Sequence, residues 1–153
     1  MLKKGAEYLY DTQNARTPMI GDIYMVTFDG DGCTQRGIRP AVIFQNNIGN
    51  LHSPNVIVLP LTSKLKKVGQ PTHVLVNAVD TGLRLDSMVL CENPMCVPKE
   101  KLGNYLTTLS KKYMAMIAKA HILATASISF LDPETLLSLM EKANQLNLIP
   151  GST

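Results

Sequence analysis

The sequence has no tryptophan, and aromatic residues fill only 5% of its 153 positions, so Val, Ile, Leu and Met must build the core. Cysteine is also scarce. Cys33, Cys91 and Cys96 form an odd set with no CxxC pair and no pair of histidines at metal-binding spacing. Such a set argues against a disulfide framework and a structural zinc site, and it favours a reducing compartment.

Long apolar runs are missing as well. No segment reaches the roughly 18 apolar residues that a membrane span needs, and no apolar stretch follows the two N-terminal lysines as it would in a secretory signal. We therefore expect a soluble, cytoplasmic protein with no membrane role.

Motifs of cofactor and metal enzymes are absent too. The sequence contains no P-loop, Rossmann glycine pattern, GxSxG elbow or HExxH pair. The stretch "DGDG" lacks the later ligands of a calcium loop and is typical of a hairpin turn. We expect neither a cofactor nor a metal.

What the chain does contain suits one globular domain. Hydrophobic residues make up 45% and charged residues 18%, enough to bury a core. The formal charge of +3 is compatible with a nucleic-acid partner but is too small to argue for one alone.

Short β-branched and apolar segments with turn residues between them predict five strands. A run of short strands at close spacing favours a small barrel or sandwich over a βαβ sheet. The predicted strands are "DIYMVTF", "PAVIF", "NVIVLPLT", "THVLVN" and "SMVLC".

The pattern changes to a helical period after Pro98. One helix is predicted from Ser110 to about Ile128, and a second begins with Asp132 as N-cap and Pro133 at the first helical position. The apolar face of the first helix comprises Tyr113, Met116, Ile117, Ala120, Leu123 and Ala124, and that of the second Leu136, Met140 and Ala143.

Arg39 is the first candidate for chemistry. It stands at the entrance to the second predicted strand, and Pro40 restricts its backbone to extended conformations. A guanidinium is planar, permanently charged and able to donate two parallel hydrogen bonds to a phosphate. On composition alone, however, a surface arginine paired with a carboxylate is the commoner case.

Two further candidates lie at strand ends. Thr62 ends "VLPLT", where its hydroxyl can bind a phosphate oxygen or simply satisfy its own turn. Glu92 follows "SMVLC" and can accept hydrogen bonds from a ligand or form a rim salt bridge. The loop lysines Lys64, Lys66 and Lys67 add positive potential for a polyanion, although such lysines are ordinarily solvated.

The three histidines are weaker candidates. His73 is predicted to point outward into solvent, His52 lies in a polar loop, and His121 is expected to be structural.

Several of these segments, taken in order, resemble the MazF/PemK family of toxin endoribonucleases from about Gly21 to Ile128. The matching pieces are "GDIYMVTF", "QRGIRPAVIFQNNIGN", "SPNVIVLPLTS", "PTHVLV" and "DSMVLCEN". The resemblance implies an SH3-like β-barrel of the CcdB/PemK type, mainly β with C-terminal helices. It also implies a homodimer that cleaves single-stranded RNA, usually mRNA, at short motifs without metal.

The resemblance also assigns roles to residues of this sequence. Arg39 and Thr62 match the catalytic pair, and Glu92 and Asn93 fall where the family has an acidic residue and a glutamine near the RNA. Gln35 and Asn46 match other positions along the RNA-binding groove. With Glu92 as a candidate proton acceptor, the predicted catalytic residues are Arg39, Thr62 and Glu92. The predicted RNA-binding residues are Gln35, Arg36, Asn46, Ser63, Lys64, Lys66, Lys67 and Asn93.

Partners and domains follow from the same resemblance. We expect an antitoxin protein as partner, with DNA binding only indirectly through that antitoxin. The chain divides into an N-terminal extension (1–18), a toxin domain with its helix (19–130), and an extra helix and tail (131–153).

Two departures keep alternatives open. Thr34 replaces an acidic residue that is common in the family, and Met95 replaces a common arginine. They leave room for a non-cleaving relative that binds a protein target, as a gyrase poison does, or for a degraded regulatory relative, because a shared fold does not fix function.

Overall fold

The computed structural model describes residues 16–30, 35–65 and 69–148. Among these residues, strands predominate before Leu109 and helices after it. The strands are β1 (Asp22–Asp29), β2 (Arg36–Ile43), β3 (Asn55–Thr62), β4 (His73–Val76), β5 (Ser87–Leu90), β6 (Met95–Pro98) and β7 (Leu102–Thr108). The α-helices are α1 (Asn47–His52), α2 (Ala78–Thr81), α3 (Lys111–Thr125) and α4 (Pro133–Gln145), with 3-10 turns at Lys99–Lys101 and Ser127–Phe130.

Strand β3 organises the sheet. The order is β4-β5-β3-β2-β1-β7, all antiparallel, and β6 also pairs with β3. One edge of β3 pairs with β2, whereas the other pairs first with β6, over Asn55–Val58, and then with β5 at Leu61 and Thr62. Two sheets therefore share β3, and the mainly β architecture predicted from the sequence is confirmed.

Two apolar cores form because successive residues of a strand point to opposite faces. On β3, Leu59 and Leu61 pack in one core and Val56 and Val58 in the other. The first core is closed by α3 through Ile117 and Ala120, both buried. The second lies among β1, β2, β3, β6 and the start of β7. Each side of β3 is thus anchored by burial, which makes it a rigid reference for neighbouring side chains.

The packed face of α3 differs from the predicted one. Ile117 and Ala120 are buried and Tyr113 is half-buried, as expected, but Met116 and Leu123 are exposed. The helix is rotated so that His121 and Met114 face the sheet instead. The side-chain oxygen of Ser110 caps its first turn by accepting the backbone N–H of Tyr113.

Helix α4 begins as the sequence predicts. Oδ1 of Asp132 accepts the N–H of Thr135 at 2.7 Å, and Pro133 occupies the first turn. Of its predicted apolar stripe, Leu136 and Ala143 are half-buried and Met140 is 64% exposed. After α4 the chain returns toward α1, where the carbonyl of Leu148 accepts the N–H of Asn47.

A buried carboxylate ties the segment before β1 to the sheet edge. Asp22 is fully buried, and its two oxygens accept hydrogen bonds from Arg16, the N–H of Met19 and the hydroxyl of Thr108. The Arg16 guanidinium also lies 4.4 Å from the centre of the Tyr105 ring. Hydrogen bonding to Asp22 raises the pKa of Arg16, so the guanidinium stays charged. The Arg16–Asp22 ion pair and the hydrogen bond from Thr108 therefore fix the start of β1 beside β7.

Four of the five predicted strands appear with ends within one residue of the prediction, and β2 is longer than predicted. It begins at Arg36, because Arg36–Pro40 pair with Met25–Asp29 of β1. Arg39 therefore lies inside a strand and not at its entrance. The strands β6 and β7 and the short helices α1 and α2 were not predicted.

Candidate functional site

Arg39 is held by the β1–β2 ladder, directly opposite Val26. Its Nε donates to the carbonyl of Arg36 at 3.2 Å. Between them Gly37 has a φ of +85°, a left-handed conformation that glycine adopts without strain. In the parts of the chain that the structure describes, no carboxylate forms an ion pair with Arg39. The guanidinium is thus oriented by backbone and retains donors for an anion.

Thr62 lies on the neighbouring strand at the level of Arg39. The pairs Ala41–Pro60, Val42–Leu59 and Ile43–Val58 define the β2–β3 register. Continued by two residues, this register sets Arg39 opposite Thr62, and opposite residues of an antiparallel pair share one face. The Thr62 oxygen accepts the N–H of Lys64 at 3.1 Å. The threonine therefore satisfies its turn, as the simpler interpretation expected, and keeps its hydroxyl proton for donation.

Positive charge surrounds this pair of residues. Arg36 and Lys64 are exposed, and the only carboxylate opposite Arg36 in the β1–β2 register, Asp29, is bound to Lys101 at 2.8 Å. Gln35 and Ser63 lie beside them, at the start of β2 and just after β3. Together these side chains form what we call the arginine–threonine site: Gln35, Arg36, Arg39, Thr62, Ser63 and Lys64. Lys66, Lys67 and Thr34, which the sequence analysis also singled out, lie outside the described residues.

Glu92 is bound to a histidine that the sequence analysis misplaced. Its Oε1 lies 2.8 Å from Nε2 of His73, whose side chain is only 10% exposed. The prediction of a solvated His73 is therefore wrong, because the ring is largely shielded from solvent and contacts the Glu92 carboxylate. Nδ1 of His73 is buried without a partner among the described residues. The rim salt bridge foreseen for Glu92 is present, with His73 as the partner when that ring is protonated.

Glu92 and Asn93 do not join the arginine–threonine site within one protomer. They lie in the turn between β5 and β6, which passes along β3 on the side away from β2. The Glu92 carboxylate is bound on β4, and three strand spacings, on the order of 14 Å along the sheet, separate β4 from β2.

Asn46 lies beyond the other end of β2 from Arg36. There its Oδ1 accepts the N–H of Gly49 and caps α1. The structure thus groups the predicted site residues into three places: the arginine–threonine site, the β5–β6 turn, and the start of α1.

Metal and membrane features were searched over the same described residues. No group of three or more His, Cys, Asp or Glu side chains is placed to hold a metal ion within 16–30, 35–65 and 69–148. No helix formed by those residues is long and apolar enough to cross a membrane.

Comparison with known proteins gives one consistent family. Residues 20–124 match the model of the PemK-like, MazF-like toxins of type II toxin-antitoxin systems. The chain is 34% identical over 111 residues to endoribonuclease EndoA of Bacillus subtilis, covering 72% of this chain and 96% of that protein. It is 40% identical over 101 residues to endoribonuclease MazF of Staphylococcus saprophyticus, covering 65% of this chain and 84% of the relative.

Solved structures give the same result. A mycobacterial endoribonuclease in complex with its cognate antitoxin superimposes with a TM-score of 0.61 and 26% identity, covering 72% of this chain and 96% of that one. This agreement confirms the predicted fold, a barrel of the CcdB/PemK type followed by helices.

Proposed function

Because this chain belongs to the PemK-like, MazF-like family of type II toxins, we propose that it is a metal-independent endoribonuclease that cuts single-stranded RNA at short motifs. The curated relatives are named endoribonucleases, and they match most of the barrel. A non-cleaving role, such as binding a protein target in the manner of a gyrase poison, is not favoured by these comparisons.

One observation carries the proposal. The β2–β3 register, continued two residues beyond the pair Ala41–Pro60, sets Arg39 opposite Thr62, and among the described residues no carboxylate forms an ion pair with the guanidinium. Strands hold side chains more rigidly than loops do, which a phosphate-binding pair needs. The arginine–threonine site therefore fits a scissile phosphodiester.

The chemistry without metal uses the ribose 2′-hydroxyl. Its oxygen attacks the adjacent phosphorus, its proton passes to a base, and the 5′-oxygen leaves with a proton from an acid. Arg39 stabilises the charge that builds on the phosphorane, a contribution of roughly 3 kcal/mol or more per donor. Thr62 orients a phosphate oxygen through its free hydroxyl proton.

Glu92 is the proposed proton acceptor, and because it lies outside the arginine–threonine site of its own chain, this role requires Glu92 of the second copy in the proposed homodimer. Its carboxylate is 40% exposed, so one oxygen remains available while the other binds His73. Asn93, Asn46 and the basic residues around Arg39, together with Lys66 and Lys67, are proposed to contact the rest of the RNA.

The proposed partners and location follow from the family. A related mycobacterial endoribonuclease is seen bound to its cognate antitoxin. We propose an antitoxin partner for this chain, homodimer formation, DNA binding only through the antitoxin, and a cytoplasmic location. The division into 1–18, 19–130 and 131–153 remains our proposed domain arrangement, with the family match lying inside its middle part.

The test is cleavage of a mixed single-stranded RNA in EDTA by the purified full chain. We expect fragments from the wild type and a loss of roughly 100-fold or more in rate for Arg39→Ala. Arg39→Lys should also be strongly impaired, since an ammonium lacks the planar fork. Thr62→Val keeps the shape of the strand and should lower the rate, and so should Glu92→Gln, which keeps the size of the side chain but cannot accept the proton. Arg84→Ala, an exposed arginine outside the three places, is the matched control. Intact RNA with folded wild-type protein would refute the proposal.

A further inference from the structure

His121, on α3, contacts residues next to two of the three places described above: the β5–β6 turn and the start of α1. Its Nδ1 is 2.9 Å from the carbonyl oxygen of Cys91, the residue directly before Glu92. Its ring also packs edge-on against Phe44, with centroids 5.0 Å apart and planes at 68°. Phe44 in turn directly follows β2 and precedes Asn46 by two residues. The His121 side chain therefore contacts Cys91, just before Glu92 of the β5–β6 turn, and Phe44, just before the start of α1.

The hydrogen bond to the Cys91 carbonyl fixes the role of Nδ1 in the His121 ring. A carbonyl oxygen can only accept, so Nδ1 of His121 must carry the hydrogen. The Cys91 side chain lies in the core beside Ile117 and Ala120 of the same helix, and burial raises the pKa of its thiol to about 12. The Cys91 thiol is therefore uncharged and contributes only packing to the core. The polar link between α3 and the turn is the hydrogen bond from His121 to the Cys91 carbonyl.

The β5–β6 turn has few other attachments near its functional end. The N–H of Cys91 donates to the carbonyl of Thr72 at 3.0 Å, and that of Asn93 donates back to Leu90 at 3.1 Å. Beyond Leu90 the β4–β5 pairing has ended, and the pairing of β6 with β3 begins only at Met95. Apart from the contact between the Glu92 side chain and His73, the position of Glu92 and Asn93 therefore depends on groups that hold Cys91.

We propose that His121 is a positioning residue that holds the β5–β6 turn through the Cys91 carbonyl, so that Glu92 and Asn93 meet the RNA strand. The inference rests on the proposed function for its RNA readout. The hydrogen bonds given for the Arg39 and Thr62 side chains stay within β2 and the turn after β3, so His121 acts on substrate contacts apart from the arginine–threonine site.

Three substitutions separate this role from simple core packing. His121→Phe keeps a ring against Phe44 but has no donor for the Cys91 carbonyl. His121→Asn loses the ring but places its amide Nδ2 where Nδ1 was. Tyr113→Phe, on the same helix, removes a hydroxyl that donates to Asp80 at 2.8 Å and accepts the N–H of Asn77. It is the matched control for losing one polar group from α3.

The first measurement is amide hydrogen exchange of the full chain, which needs no substrate. We expect the amides of Cys91 and Asn93 to exchange roughly fivefold faster in His121→Phe, the factor that one lost hydrogen bond of average strength implies. His121→Asn and Tyr113→Phe should leave those amides within about twofold of wild type. Equal exchange at these amides in His121→Phe and Tyr113→Phe would overturn the proposal.

The second measurement is kcat/KM on a short single-stranded RNA that carries a cut site found with the wild type. A loss of roughly fivefold in His121→Phe, restored by His121→Asn and absent in Tyr113→Phe, is expected. Failure of His121→Asn to restore kcat/KM would contradict positioning through the carbonyl bond. If the wild type leaves all RNA intact, the proposed function fails, and the exchange result alone decides whether His121 holds the turn.

Discussion

Removing the charge of Asp22 should destabilise the fold strongly although Asp22 is not part of the candidate site. The carboxylate is fully buried and accepts from Nη2 of Arg16 at 3.0 Å, the N–H of Met19 at 3.0 Å and Thr108 at 2.7 Å. In Asp22→Asn one oxygen becomes an NH₂ group. That group can donate to Thr108, but it then faces the Arg16 guanidinium, which must swing into solvent.

The magnitude follows from what is lost. A hydrogen bond to a charged group is worth roughly 1.5–3 kcal/mol. The Arg16 side chain is 48% exposed, so water compensates part of the loss. We expect Asp22→Asn to lower the free energy of unfolding by about 2–3 kcal/mol. For a chain of this size that corresponds to a fall in Tm of roughly 5–10 °C. Arg16→Gln should cost about 1–2 kcal/mol.

The assay is urea unfolding of the two single variants, the double variant and the wild type. The double variant should be more stable than the sum of the single losses predicts, by about 1–2 kcal/mol. Asp29→Asn is the matched control, since Asp29 lies on the same strand but is 70% exposed in its pair with Lys101. It should change the free energy by less than about 0.5 kcal/mol. A coupling near zero between Arg16 and Asp22 would refute the reasoning.

Two further predictions concern titration. In a Cys33→Ser background, a maleimide at about pH 7–9 should label exposed Cys96 and spare Cys91, whose thiol is buried with a pKa of about 12; mass spectrometry of the labelled peptides checks this, and native labelling of Cys91 would contradict it. The N–H and hydroxyl of Thr135 hold the pKa of Asp132 below its usual range, so the stabilisation of α4 is complete above the unfolded pKa of about 3.9 and is lost as the pH falls through the lowered value. Asp132→Asn keeps an acceptor that does not titrate. The helix content of α4 should therefore fall on acidification in the wild type and not in the variant. Identical curves of helix content against pH would contradict this.

The sequence predicted the elements that carry strong local signals. β1, β3 and β5 have runs of buried apolar residues, and α4 has Asp132 and Pro133 at its start. It missed β7 because Leu102–Thr108 contains Gly103 and Asn104 and is exposed over most of its length, so neither composition nor alternation indicates a strand. β7 forms because β1 offers an edge to pair with.

The short helices and the full length of β2 could not be predicted from the sequence, because they depend on tertiary contacts. Helix α1 has six residues and includes Gly49, yet Asn46 caps it, and buried Asn50 donates to the carbonyl of Gln45. Similarly, β2 extends back to Arg36 because β1 is long enough to pair there, which no local pattern around Gly37 reveals.

For the candidate site, the sequence identified residue types but not their partners. Arg39 and Thr62 were found as strand-end polar residues, while their opposition depends on the β2–β3 register. The His73–Glu92 pair spans nineteen positions and two strands, so strand alternation alone placed His73 wrongly. The role of His121 is invisible without the packing of α3, since the same ring would suit any apolar helix face.

One edge of β3 pairs first with β6 and then with β5, and this change of pairing strand has an evolutionary consequence. Between Val58, the last residue paired with β6, and Leu61, the first paired with β5, one edge of β3 carries no ladder. The residues that follow buried Cys91 and bridge this gap, Glu92 to Pro94, are free of the alternation that each sheet imposes on its members. Substitutions there alter what the barrel presents to a ligand without disturbing either sheet, so selection can diversify recognition on an unchanged scaffold.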